Sequence, residues 1–272
     1  MRLALACASS DSGGGAGLQA DLKTFAALGV YGLCAVSAVT AQNSREVTRV
    51  ERLSREGFLA QLEAVAADFR IDAVKVGLLG GPSHSEALVE FLGRRLPGIP
   101  AVVDPVMVSA SGHVFLDGES VEALKGLLGR AFLATPNLFE AERLSGLEIG
   151  CREQAVRAAE RILALGPRNV LVKGGHAGGE SAEDILLGED APGGVAFSSP
   201  RRDTRNTHGT GCTLSSAVAA HLALGAPLPE AVDRAKAYVW EAMDPSRNLD
   251  LGGSGPGPLH HFWSYYGYGR KL

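Results

Sequence analysis

The feature that most constrains this chain is the alternation of short β-rich runs with helical runs along its length. Small or apolar runs read as strands at Leu3–Ala8, Tyr31–Thr40, Ala73–Leu79, Ala101–Val103, Phe132–Ala134 and Asn169–Lys173. Between them lie the helical stretches Gly15–Leu28, Arg55–Asp68 (with Ser54 as its cap), Pro82–Leu96, Glu119–Leu128, Asn137–Ser145 and Arg152–Leu165. In the last of these Ala155, Val156, Ala159, Ile162 and Leu163 recur at helical spacing. Asp184–Leu187 and Val195–Ser198 read as a hairpin turning at Gly193-Gly194, and Gly209–Leu224 and Pro229–Met243 as a closing pair of helices. Strands alternating with helices predict an α/β fold, a mostly parallel central sheet with helices on both faces. With 272 residues, no internal repeat and no low-complexity linker, one domain over residues 1–272 is expected.

Composition narrows the partners. Hydrophobic residues at 46% and charged residues at 21% suffice for a packed core and exclude disordered or fibrous classes. A net charge of -4 argues against a broad nucleic-acid surface. No apolar run approaches the roughly 18–20 residues of a spanning helix. The opening stretch Leu3–Ala8 is shorter than the ~7–15 residues of a secretory core. Cys7, Cys34, Cys151 and Cys212 are far apart and form no CxxC, so neither a zinc site nor a disulfide framework is indicated. A cytoplasmic protein without nucleic-acid or membrane partners is the expectation. The aromatic tail from His260 to Tyr268 reads as a packing segment or subunit contact, with a homodimer expected.

In such a sheet, ligands sit beyond the carboxyl ends of the strands, where the chemically informative residues cluster. Asp11-Ser12-Gly13-Gly14-Gly15-Ala16-Gly17 follows a strand and opens a helix, and reads either as a ligand-contacting loop or as a tight turn. Thr207-His208-Gly209-Thr210-Gly211-Cys212-Thr213 precedes a helix of small residues. Its N–H groups from Gly209 to Cys212 suit a transferring phosphoryl group, and Cys212 stands in the first turn, where a thiol tends to acidify. Asp104 ends a strand, and Asn137 and Glu140 lie one helical turn apart. Their hard oxygens suit a hydrated Mg²⁺ carrying nucleotide phosphates, although Asn137 and Glu140 equally describe a capping box. Lys173, before Gly174-Gly175, is placed either to neutralise phosphate or to snorkel at the surface. The Gln42 amide, with Asp21 on the first helix, offers a donor beside an acceptor, as an aminopyrimidine requires, or else serves loop backbone. Arg201-Arg202-Asp203 reads as a solvated charge cluster, and Met107–Gly118, with Ser109, Ser111 and Gly112, as a flap.

Several of these segments resemble the signatures of hydroxymethylpyrimidine/phosphomethylpyrimidine kinases. They are Gly14-Gly15-Ala16-Gly17-Leu18-Gln19-Ala20-Asp21-Leu22-Lys23-Thr24, Thr40-Ala41-Gln42-Asn43, Lys75-Val76-Gly77-Leu78-Leu79 and Val103-Asp104-Pro105-Val106-Met107. Thr135-Pro136-Asn137-Leu138-Phe139-Glu140-Ala141, Lys173-Gly174-Gly175-His176 and Asn206–Thr213 follow in family order. The resemblance implies a ribokinase-like fold and ATP- and Mg²⁺-dependent phosphorylation of a hydroxymethylpyrimidine and then of its monophosphate, in thiamine biosynthesis. It implies that Gln42, Asp21 and Ser9 bind the pyrimidine, with Leu78 packed on its ring. Gly209, Thr210, Gly211 and Cys212 would form the anion hole, and Cys212 would accept the hydroxyl proton. Lys173, Asn137 and Thr207 would contact the nucleotide, and Asp104 and Glu140 would organise Mg²⁺. Ser9 and Leu78 stand where the resemblance leads one to expect Gly and Met. The competing readings are a pyridoxal kinase of the same fold, a non-catalytic aminopyrimidine-binding regulator, and a cysteine hydrolase using Cys212 with His208.

Overall fold

Residues 4–8 are all fully buried, so the first strand needs cover on both faces. In the computed structural model, which describes residues 1–108, 118–175, 180–246, 249, 251 and 255–265, that cover is present. The strands are β1 (Leu3–Asp11), β2 (Tyr31–Gln42), β3 (Val47–Arg52), β4 (Ala73–Val76), β5 (Ala101–Val103), β6 (Leu133–Ala134), β7 (Asn169–Val172), β8 (Ser181–Gly188) and β9 (Ala191–Pro200). Among the described residues they form one sheet in the order β3-β2-β1-β4-β5-β6-β7-β8-β9. The pairs from β2 through β1, β4, β5 and β6 to β7 are parallel; β3, β8 and β9 join antiparallel at the edges.

Alternation along β1 separates two cores. Leu5 and Cys7 join Phe58, Leu62, Leu88 and Phe91 on one face, under helices α2 (Arg55–Asp68) and α3 (Pro82–Arg95). The helices α4 (Gly118–Leu128), α5 (Leu138–Ser145) and α6 (Arg152–Leu163) complete that layer. Ala4, Ala6 and Ala8 point the other way, to α1 (Gly17–Ala27), α7 (Thr210–Ala223) and α8 (Leu228–Ser246). The small alanines allow α7 to lie close to the sheet, and its own packing face is Ala217, Val218 and Ala220. Burying a side chain such as Phe91 on this plan stabilises the fold by about 1.5–3 kcal/mol.

Three expectations change. Strand β3 had no apolar alternation to announce it: its exposed, charged residues mark an edge strand, with Arg49 paired to Glu51. The hairpin is longer than expected and turns at Glu189-Asp190, leaving Gly193 and Gly194 inside β9. The turn sits there because Asn169 binds Asp190 through both its amide nitrogen and its oxygen, at 2.8 and 2.9 Å. The first helix begins at Gly17 rather than Gly15, for reasons given below. Residues 109–117, which carry Ser109, Ser111 and Gly112, lie outside the described residues, as do His176 and residues 266–272.

The described C-terminal segment packs back onto α7. Phe262 and Trp263 lie against the second core, and His261 Nε2 is 3.1 Å from Thr213 Oγ1. Burial drives the His261 imidazole down to about 4, with Lys23 and His260 adding to the shift. A histidine held neutral in the fold and free to protonate when unfolded favours the native state above its ordinary value near 6.5. That contribution is lost as pH falls from about 6.5 towards 4. A thermal melt at pH 7 and again at pH 5 should therefore show a larger drop for the native chain than for His261→Asn. Equal drops would rule out this titration as a source of acid sensitivity.

Candidate active site

A cavity of about 960 Å³ opens beyond the carboxyl ends of the parallel strands. It is lined by Ser9, Gln42, Leu78, Asp104, Asn137, Glu140, Lys173 and the run from Thr207 to Cys212. These come from separate elements, and the parallel sheet brings their ends together. Asp21 is the exception. It lies fully buried below the cavity, its carboxylate paired to Lys75 at 2.7 Å, so its expected contact with a pyrimidine is corrected.

The two glycine-rich loops meet at one carboxylate. Asp11 Oδ1 accepts from Gly13 N at 2.8 Å. Its Oδ2 accepts from Gly15 N at 3.1 Å and Ala16 N at 2.8 Å, and lies 2.9 Å from His208 Nε2. Burial opposes the charge on Asp11, yet His208 and the N–H groups hold its carboxyl below the usual range. The N–H groups of Gly13, Gly14, Gly15 and Ala16 are therefore occupied within the loop, so it is a self-capped turn and α1 starts only after it. His208 is likewise committed to Asp11, and among the described residues no hydrogen bond joins it to Cys212. The hydrolase pairing of His208 with Cys212 thus lacks its defining contact.

The second loop enters α7 through Gly209, whose φ of +83° an L side chain rarely adopts. A Cβ there would stand 1.8 Å from Gly15 O, so the glycine is needed twice over. Thr210 N donates to Thr207 O at 3.2 Å, and Thr213 N makes the first i→i−4 bond, to Gly209 O. Gly211 and Cys212 lie between them at the start of the helix, where backbone N–H groups have no acceptor in the preceding turn. Cys212 is not acidified. Burial pushes its thiol up to about 11, against the pull of the Lys75 ammonium.

Opposite this turn lies a buried charge cluster. Lys173 Nζ is 2.6 Å from Asp104 Oδ1 and 4.0 Å from Glu140 Oε2. Lys173 is 9% exposed, so the snorkelling reading fails. Burial alone would lower its ammonium, but Asp104 and Glu140 outweigh this and hold it above its usual range. Burial pushes Glu140 up to about 7, Lys173 opposing and Asp104 reinforcing the shift. Asn137 and Glu140 do form the capping box of α5, at 2.9 and 2.8 Å, while still lining the cavity. Gly211 touches the cluster: a Cβ on it would stand 3.4 Å from Lys173 Nζ.

At the other end, Ser9 directs its hydroxyl to Leu78 O at 3.0 Å, and its N–H binds the same carbonyl at 2.8 Å. The hydroxyl thus fixes the Leu78 backbone. Thr40 Oγ1 lies 3.2 Å from Gln42 Oε1 and orients that amide. Sequence reasoning missed a third wall. Arg202 stacks 3.4 Å over the Trp240 ring, and Trp240 Nε1 donates to Pro200 O at 2.8 Å. Arg201 donates to Gly175 O at 2.6 Å. Both arginines border the cavity; Arg201 and Asp203 are exposed, as the solvated-cluster reading expects, and Arg202 alone departs from it, half-buried against Trp240. Lys236 pairs with Asp184 at 2.6 Å in the same wall. Only the run of basic residues hinted at this region, because Trp240 arrives from α8.

Gly209→Ala tests the loop junction. It should cost about 2 kcal/mol or more of stability and at least roughly tenfold in turnover. Near-native melting and activity would contradict the packing described.

Residues 11–260 match the family model described as phosphomethylpyrimidine kinase. A Rhizobium meliloti hydroxymethylpyrimidine/phosphomethylpyrimidine kinase is 48% identical over 266 residues, covering 97% of this chain and 98% of the relative. A crystal structure of phosphomethylpyrimidine kinase from Clostridium difficile superposes with a TM-score of 0.79 at 43% identity, covering 90% of this chain and all of that one. The pyridoxal kinase of Staphylococcus aureus, solved with AMP-PCP and pyridoxal, gives 0.87 at 32% identity over 98% of this chain and 95% of that one. Sequence and fold together show that this chain, with its ribokinase-like architecture, belongs to the hydroxymethylpyrimidine/phosphomethylpyrimidine kinase family.

Proposed function

We propose that this chain transfers the γ-phosphoryl group of ATP to 4-amino-5-hydroxymethyl-2-methylpyrimidine and then to the resulting monophosphate, in thiamine biosynthesis, acting as one kinase domain over residues 1–272. The observation that carries the reading is the convergence in one cavity of the first turn of α7, the Asp104–Lys173–Glu140 cluster and the Gln42 amide. In this reading Gln42 pairs with the aminopyrimidine edge and Leu78 packs against its ring. The N–H groups of Gly211 and Cys212 hold the transferring phosphoryl group, and Lys173 offsets its charge. Asn137 and Thr207 border the nucleotide.

Asp104 and Glu140 fit a hydrated Mg²⁺, since both are buried hard-oxygen donors and both lie within 4.0 Å of the single Lys173 ammonium, two carboxylates to one cation. When bound, Mg²⁺ would neutralise phosphate charge. The four cysteines, all free, support a cytoplasmic setting. The exposed Tyr31 and Phe69, stacked at 6.4 Å, support a homodimer contact. Among the described residues no helix is long and apolar enough to cross a membrane.

Proton removal divides the two steps. The first acceptor is a hydroxymethyl group, and Cys212 Sγ is the group assigned to take its proton. The second acceptor is a phosphate monoester with a second pKa of about 6, already ionised at neutral pH. Cys212→Ser should lower kcat of the first step by roughly 10²-fold and affect the second far less. Equal losses would remove the base role. Mass spectrometry of products from hydroxymethylpyrimidine with ATP and Mg²⁺ should show mono- and then diphosphate. Pyridoxal in a parallel tube tests the second reading, which rests on the likeness to the Staphylococcus aureus pyridoxal kinase. Phosphorylation of pyridoxal alone would reverse the assignment.

A further inference from the structure

Below the cavity floor α1, β4 and α7 meet at a charged core. Lys75 Nζ reaches both oxygens of Asp21, at 2.7 and 2.9 Å. Ser216 Oγ donates to Asp21 Oδ1 at 2.7 Å. All three residues are fully buried. Desolvation makes such a pair a poor source of net stability, so its retention calls for another role. Ser216 lies four residues after Cys212, which places both on one face of α7. The ammonium presses against Gly77, where a Cβ would stand 2.7 Å from Nζ, and the next residue, Leu78, lines the cavity.

The groups acting on the Cys212 sulfur come from every neighbouring element. Lys75 of β4 and the N–H of Gly17 favour a negative sulfur. Asp21 of α1 and Asp104 after β5 disfavour it, and Cys212 in turn raises Lys173 after β7. Burial lowers the Lys75 ammonium, but Asp21 and then Cys212 more than restore it, so this cation stays charged, tied through Asp21 to Ser216, one helical turn after Cys212.

We propose that Lys75, held in place by Asp21 and Ser216, is a positioning residue for Cys212, its buried positive charge stabilising the thiolate that takes the substrate's hydroxyl proton. The proposal rests on the reading of Cys212 as proton acceptor. The thiol proton leaves first to solvent. The hydroxyl O–H bond then breaks as S–H forms, while the oxygen pair bonds the γ-phosphorus and the bond from phosphorus to the departing diphosphate breaks. Lys75 stays protonated throughout.

The test is peptide-resolved iodoacetamide alkylation of the full chain between pH 7.5 and 9.5, without substrate. The double variant Lys75→Met/Asp21→Asn removes both charges and leaves neither orphaned. Because Asp21 opposes Lys75 at the sulfur, only the surplus of the cation is lost: the Cys212 alkylation rate should fall at least threefold, while exposed Cys151 keeps its rate and buried Cys7 stays unmodified as a report on folding. If Cys7 becomes reactive, Gly77→Ala replaces the double variant: it keeps both charges, displaces the ammonium, and should shift the Cys212 rate at least threefold. A Cys212 rate within twofold of the native chain in the folded variant would overturn the proposal. The expected fall accompanied by equal losses in both phosphorylation steps would instead keep Lys75's hold on the sulfur and overturn the base reading.

Discussion

The Asp11 carboxylate is the contact on which the site depends. It gathers three backbone N–H groups of its own loop and the imidazole of His208, 197 residues away. A buried carboxylate without donors would be strongly disfavoured, so the donors cannot leave independently. Its position at the end of β1 is set by the parallel register with β2, where Asp11 lies opposite Thr40. Fixing His208 in turn fixes Gly209 against Gly15, and Gly209 sets the start of α7. The anion-binding turn is therefore held by the sheet through a chain of polar contacts rather than by local loop preference.

The same construction explains how opposite charges are paired in and beneath one cavity. Asp104 and Lys173 sit at the ends of β5 and β7, and Glu140 in the first turn of α5, which follows β6 between them; all are largely buried. Asp21 and Lys75 form a second pair beneath α7. Burial makes each of these groups sensitive to its partners, so geometry fixed by strand ends becomes electrostatics at the site. Ser9 and Thr40 do related work with neutral groups, orienting the Leu78 backbone and the Gln42 amide.

Much of this was legible before the fold. Alternating strand and helix runs gave the parallel core, and twelve of the thirteen residues singled out by motif line one cavity, Asp21 alone lying beneath it. What was not legible depends on pairs distant in sequence. Asp21 looked like a ligand contact because its partner Lys75 is 54 residues away. The Asp11 loop is a different case: the carboxylate that occupies its donors is its own first residue, two to five positions away, so the signal was local, an Asp turning back on the N–H groups that follow it. Cys212 looked acidic from its helix position alone, whereas burial dominates. Strand β3 lacked an apolar stripe because an edge strand buries little, and Arg202 looked solvated because Trp240 comes from another helix.

The most direct test is a double-mutant cycle on Asp11 and His208, using Asp11→Ala, His208→Ala and the pair, read out as kcat/KM and melting temperature. Loops that hold one another through this contact predict a coupling of about 1–3 kcal/mol in both readouts, with the double variant scarcely worse than the poorer single one. Additive losses would contradict the account, because they would mean that the two glycine loops keep their places independently.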